Sequence, residues 1–513
     1  MKADNLSKKA FFWLFHIVLS LMIIDWAVIL PFSVKGVGLY ELAFLLLGAT
    51  CLVRLWVERG EVFRSICRVL RSSVWCVITL VAYLIAGVVT LFYSPNLSYA
   101  LTKYVVVVQM LFFGVCLFYY LATYTGGSAK ALLTVFGNLG FSAVVCGIWG
   151  MLDFFFPGTD LYPPVVSPIQ DYNQYTTILL VGFISGGYYI LRCIQRPVKR
   201  YLCLTVLIAS AAVPVFAGGS RRSLVLMMGL LGLLAGYLAV ELLVKYIREK
   251  NMRHLAVSLC ALVLCCAVTY LFGNSVATRV AELANQPLVP PVQTVEPATE
   301  PEPTPPTDVP ETSAPTDAPA PTEPTPPEPV QPTEPAQPTE PPASSLAQDR
   351  LVASSGFGKR EIIWDAAIEE IRQSNTRQLL IGHGDGYETD FYDDLDKPLA
   401  NKVHRWYAYT PENPAAKNWM NPHNLFLHDM LVGGLMLLTL QLSIILVAVI
   451  STLRAIRKEP FAGIVLGLLY GVLMITLLLS SGRGILANKF FWLFTMLQIG
   501  QNYVLTQLPK KGA

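Results

Sequence analysis

Runs of about twenty apolar residues recur from one end of this chain to the other, and no other feature limits its fold as much. Each run is long enough to cross a hydrocarbon layer of ~30 Å as a helix. Twelve can be read, at roughly 11–32, 39–57, 74–93, 101–123, 131–156, 174–192, 201–217, 223–243, 255–273, 430–453, 461–480 and 488–506. Only 14% of the 513 residues are charged and 54% are hydrophobic, a balance foreign to a water-exposed domain. The expected fold is therefore an all-α polytopic membrane protein with about 12 transmembrane helices. The first run carries His16 and Asp25 and no small-residue cleavage site follows it, so it reads as a span rather than a cleaved signal.

Lys and Arg set the expected orientation. With both termini cytoplasmic, the cytoplasmic segments hold 22 basic residues, while the short outer loops and their edges hold six: Lys35, Lys103, Arg221, Arg222, Arg483 and Lys489. The long segment between spans nine and ten is then extracytoplasmic. All ten cysteines fall in spans or on the cytoplasmic side, so that segment has no disulfide framework.

The chain divides by composition into spans one to nine (1–273), a short outer helical pattern (274–286), a tether (287–342), an ordered outer segment (343–429) and spans ten to twelve (430–513). The tether holds 21 of the 35 prolines, ten acids and no Lys or Arg, and proline at that density excludes helix and sheet. Beyond it, residues 360–372 place Trp364, Ala367, Ile368 and Ile371 on one face of an amphipathic helix. The piece Leu379-Leu380-Ile381-Gly382-His383-Gly384-Asp385-Gly386 follows, then an acid-rich stretch and the aromatic run Trp406-Tyr407-Ala408-Tyr409.

Four of the six histidines, at 383, 404, 423 and 428, lie in the outer segment or at its edge. Imidazole is the side chain best suited to general-base work near neutrality. His423 stands where a helix begins, and the positive end of the dipole favours its neutral form; the plainer role there is a cap or an interfacial polar group. Gly218-Gly219-Ser220-Arg221-Arg222-Ser223 sets two guanidiniums beside a helix start, and both features suit phosphate oxygens. Headgroup contact by snorkelling arginines is the competing role. Arg360 and Arg483 are further cationic candidates, and Asn173, Asn424 and His428 further polar ones. Asp25, read as mid-span, and Glu41 at the start of span two are intramembrane acids in need of partners. Asp394-Leu395-Asp396 has the spacing of a metal-binding acid pair, a pattern common by chance in acid-rich loops.

"GSRRS" opening a span, "GKREIIWDAAIEEI…LLIGHGDG" in the outer segment and "HNLFL…VGGLMLLTL" running into the next span occur in that order over roughly residues 200–450. Together they resemble the O-antigen ligase and O-antigen polymerase family, and "DYNQYTTILLVG" is similar to that family's entry into an earlier span. The resemblance implies a GT-C-like fold in a bacterial cytoplasmic membrane. It implies transfer of glycan from an undecaprenyl-diphosphate-linked donor to a glycan or lipid acceptor, on the outer side, with neither metal nor cofactor. On it the family's catalytic histidine falls on His423, and its diphosphate-binding arginines fall on Arg221, with Arg222 beside it, and on Arg360. The paired arginines and the tether depart from the family pattern. Membrane lipids are expected partners and nucleic acid is not. The rival readings are a polysaccharide flippase, which would line its spans with basic residues, and a membrane-anchored scaffold without catalysis.

Overall fold

The computed structural model describes residues 2–28, 33–34, 37–155, 172–218, 220–249, 252–284, 356–394, 396–406, 421–480 and 484–507. The chain divides into one unit of residues 1–284 with 356–513 and another of 285–355. The whole second unit, and with it the tether, lies outside the described residues, as do Tyr407 and Tyr409.

Among its described residues the first unit is helical apart from turns and an antiparallel ribbon of two residues a side, pairing Ser33–Val34 with Val37–Gly38. Its first ten helices are α1 (Lys2–Val28), α2 (Leu39–Arg71), α3 (Val74–Leu91), α4 (Leu97–Thr123), α5 (Ser128–Phe155), α6 (Tyr172–Cys193), α7 (Pro197–Leu207), α8 (Val213–Ala217), α9 (Arg221–Glu249) and α10 (Met252–Ala284). After the undescribed stretch come α11 (Gly356–Gln373), α12 (Thr376–Ile381), α13 (Tyr387–Asp390), α14 (Pro398–Trp406), α15 (Leu425–Lys458), α16 (Pro460–Ser480) and α17 (Lys489–Gln507). Among the described residues, eleven helices are long and apolar enough to cross a membrane: α1 to α6, α7 with α8, α9, α10, α15 and α16. Large apolar side chains such as Trp13, Trp56, Phe63, Trp75 and Val105 face outward from them. Such a surface suits lipid rather than water. The architecture is that of an all-α multi-pass membrane protein.

Two expectations change. The twelfth span exists as helix α17, but Gln498, Gln501 and Asn502 make it too polar to count as a span by composition. Two of its polar side chains donate to protein, Gln498 to the Ala448 carbonyl and Asn502 to Ser73. A helix enclosed by other helices has no need of an apolar surface all round. Asp25 lies in α1, which is described to Val28. It lies near enough to Lys489 to interact with it electrostatically, as does Glu41. Residues 274–284 continue α10 as one helix instead of forming a separate outer one.

The α7–α8 span contains a wide turn at Ile208–Ala212, where Val213 N–H reaches back to the Ile208 carbonyl. Pro214 explains it, because a proline has no N–H to offer the Ser210 carbonyl in an ordinary helix. α5 and α6 approach so closely that a Cβ on Gly140 would lie 2.4 Å from the Gly186 Cα. Small residues at a helix contact allow this.

The segment from α11 to α14 has a small core of its own. Ile363, Ala366, Ala367, Phe391, Tyr392, Ala400 and Val403 pack with Leu431, at the start of α15. The inward face of α11 holds Ile363, Ala366, Ala367 and Glu370, with Trp364 and Ile371 packed against the same core and Ile368 half-buried. Glu370 is drawn inside because the Tyr387 hydroxyl and the Lys397 ammonium both donate to its carboxylate.

Candidate functional site

α15 is broken near its start. Gly434 has φ 60° and ψ −154°, so Leu425 to Gly433 form a short helix set off from the long one that follows. A break frees carbonyls that a continuous helix would bond. Here the freed groups are met from outside: His383 N–H donates to the Leu431 carbonyl at 2.8 Å and Gly384 N–H to the Val432 carbonyl at 3.0 Å. The Gly-His-Gly-Asp-Gly segment thus docks into the break. Its other side rests on the α3–α4 turn, where Tyr93 donates to the Ile381 carbonyl, Ser94 to the Asp385 carbonyl, and Asp385 N–H to the Thr90 carbonyl. We call this the docking end of the bundle.

A buried charge network pins the contact. Lys103, inside α4, donates to both Asp385 and Glu388. The Glu388 carboxylate also accepts Gly386 N–H at 2.9 Å and lies 3.4 Å from His428 Nε2. His428 Nδ1 is 2.9 Å from Asp429 Oδ1, and the Tyr83 hydroxyl donates to Asp429 Oδ2 at 2.7 Å. All five ionisable groups are at most 4% exposed. Burial alone would raise the Glu388 carboxyl, but Lys103 and His428 outweigh it and hold the group below the usual carboxylate range. Burial pushes Asp385 up, against the pull of Lys103. Tyr83, Thr90, Lys103, Asp385 and His428 line a cavity of about 10 Å³. That is room for one water at most, so the network is an anchor and not a substrate pocket. His428 belongs to it: the backbone of Gly484 lies against its ring, where a Cβ would sit 2.4 Å from Cε1.

His423 stands at the head of the short helix. Its φ is 47°, making it the one described non-glycine residue in the left-handed region. Its N–H donates to Asn421 Oδ1 at 3.1 Å, a turn that fixes the backbone. Asn424 caps the helix, its Oδ1 accepting from Phe426 N–H at 3.0 Å and Leu427 N–H at 3.3 Å. Asn424 is therefore spent on structure, while the half-buried His423 ring sits beside the positive end of the short helix. Left-handed backbone at a non-glycine residue persists only where its surroundings enforce it, and such residues cluster at functional sites.

The arginine cluster is built on α6 and α9. Arg222 Nη2 donates to the Asn173 carbonyl at 3.2 Å and to Thr177 Oγ1 at 3.0 Å. Ser220 Oγ donates to Asn173 Oδ1 at 2.9 Å, and Thr176 and Ser223 share a hydrogen bond of 2.9 Å. Asn173 and Arg222 are thus brought together, while Arg221 is exposed. A run of contacts joins this cluster to the docking end. Gln174, next to Asn173, donates to the Trp26 carbonyl, and Trp26 meets Lys489 and Phe490. Those two residues begin α17, five and six positions after the Gly484 that covers His428. Arg360 is half-buried on α11, which packs on the start of α15 through Ile363, Ala367 and Leu431. Arg483 lies outside the described residues.

Asp394 accepts Asp396 N–H and faces Lys397 at 3.5 Å. Among the described residues no group of three His, Cys, Asp or Glu is placed to hold a metal. Sequence reasoning missed Lys103, Asp385, Glu388, Asp429 and Tyr83. The signal was present in Lys103, a charge inside the apolar stretch 97–123 that demands a partner. Neither a protein-family model nor a curated protein matches the chain.

Proposed function

We propose that this protein transfers glycan from a polyprenyl-diphosphate lipid to a hydroxyl acceptor at the docking end of the bundle, in the manner of the O-antigen ligases and polymerases its motifs resemble. The observation that carries the reading is the position of His423: a strained residue at the head of a short broken helix, at the same end as the Arg222 cluster. The donor's tail would lie in the bilayer and its diphosphate among Arg222, Arg221 and Arg360. The acceptor oxygen attacks the anomeric carbon as the bond from that carbon to the phosphate oxygen breaks. Diphosphate leaves with the bonding electrons, and the hydroxyl proton passes to the His423 ring. Guanidinium charge offsets the anion as it forms. By the arginine and lysine bias this end faces outward and the termini face the cytoplasm.

A flippase lined with cations is the poorer reading. Three buried cations in the spans already have carboxylate partners: Lys103 with Asp385 and Glu388, Arg54 with Glu58, and Arg200 with Glu241. The test is to incubate the purified protein with a lipid-diphosphate-linked oligosaccharide and candidate acceptors. Lengthened lipid-linked glycan indicates a polymerase and transfer to another carrier a ligase. Absence of both, with donor alone moved across vesicles, contradicts the proposal.

A further inference from the structure

The end of the bundle away from His423 carries a second polar site. α6 runs from Asn173, beside Arg222, to Arg192; its 22 residues span about 33 Å at 1.5 Å per residue. At the Arg192 end lies a cavity of about 330 Å³, large enough for part of a small ligand. Tyr188, Arg192, Lys458, Glu459 and Gln501 give it polar lining, and Leu132 stands in its apolar wall. Gln501 is only 2% exposed, yet its Nε2 has no hydrogen-bond partner. A buried amide donor left unmet costs free energy. The observation therefore points to a ligand oxygen.

The remaining groups say which kind of oxygen. Arg192 and Lys458 are cationic, and the one acid, Glu459, already accepts from Arg192. The first turn of α5 reaches the cavity at Ala129, and a helix start favours negative charge. Apolar wall and donor-rich mouth together fit an amphiphile with an anionic head at a membrane surface. We infer that this cavity binds the phosphate-bearing headgroup of a membrane lipid, with Gln501, Arg192 and Lys458 donating to phosphate oxygens. The site is separate from the proposed transfer chemistry and does not depend on it.

The test uses the full chain in mild detergent and native mass spectrometry. Three probes are offered: dioleoylphosphatidylglycerol, dioleoylglycerol and inorganic phosphate. The wild type should retain the phospholipid saturably and the phosphate-free diacylglycerol much less. Gln501→Leu should retain the phospholipid about tenfold more weakly, as expected for one lost hydrogen bond to a charged oxygen. Lys458 is exposed, so Lys458→Gln should weaken retention with an unchanged melting temperature, and it carries the test if Gln501→Leu fails to fold. Equal retention by wild type and Lys458→Gln, or equal retention of phospholipid and diacylglycerol, overturns the inference. Displacement of the phospholipid by millimolar inorganic phosphate overturns it too, marking a site for a soluble anion.

Discussion

Gly434 lies so close to Gly382 that a Cβ built on it would stand 2.7 Å from the Gly382 nitrogen, and one built on Gly382 would stand 2.2 Å from the Val432 carbonyl oxygen. Both residues have positive φ, 60° and 77°. The broken start of α15 and the loop that docks into it therefore require glycine twice over. Gly382→Ala should destabilise the docked segment by about 1–3 kcal/mol, the usual cost of an enforced backbone clash or strain. A lower melting temperature with earlier proteolytic cutting near residues 381–390 is the expected result. Wild-type behaviour would mean that the loop docks elsewhere.

Lys103 donates to both Asp385 and Glu388, and all three are buried. Lys103→Met strips Asp385 of the ammonium it accepts from and leaves Glu388 with His428 alone, and should cost about 3–5 kcal/mol. The triple variant Lys103→Met, Asp385→Asn, Glu388→Gln should recover much of that, since no buried charge is stranded. Melting curves in detergent for the two proteins separate these outcomes, and equal loss in both would refute the ion-pair account.

The helices were legible because runs of apolar residues are a local signal, and the segments "LLIGHGDG" and "HNLFL…VGG" stand out in the sequence. Their physical joining was not legible: the hydrogen bonds from His383 and Gly384 to Leu431 and Val432 connect residues 48 apart in sequence. Lys103 was counted with the outer loops, and its partners lie more than 280 positions away. Apolar periodicity put Trp364, Ala367 and Ile371 toward the core of α11, but it cannot anticipate that Tyr387 and Lys397 draw Glu370 inward. α17 looked like one more span because Gln498 and Asn502 find their partners, Ala448 and Ser73, only in the packed bundle.

Arg222 is held by the Asn173 carbonyl and the Thr177 hydroxyl. If it binds the donor diphosphate, Arg222→Gln should raise the donor KM by about tenfold to a hundredfold, the worth of one hydrogen bond to a charged oxygen. Arg222→Lys should recover only part of this, because an ammonium lacks the guanidinium fork. Thr177→Val, which loosens the arginine without touching the donor, should fall between wild type and Arg222→Gln. Steady-state kinetics over donor concentration tests all three.

Burial pushes the His383 imidazole down, against its bond to the Leu431 carbonyl and the nearby Glu370. The ring stacks on Tyr387 with centroids 4.2 Å apart. A lowered folded-state value means that the unfolded chain takes up the proton first as pH falls through about 6.5. His383 therefore destabilises the docked segment below that pH and adds no penalty above it. Hydrogen exchange of residues 381–390, corrected for intrinsic rates, should rise between pH 7.5 and 5.5. His383→Phe keeps a stacking ring and should flatten that rise; an unchanged slope would exclude His383 as its source.

The reading of His423 as the proton acceptor is tested most directly by single-turnover transfer from pre-bound polyprenyl-diphosphate-linked oligosaccharide. His423→Ala should bind donor as the wild type does and transfer about 10²–10⁴-fold more slowly, the span of general-base contributions. Transfer at the wild-type rate by that variant would contradict the account.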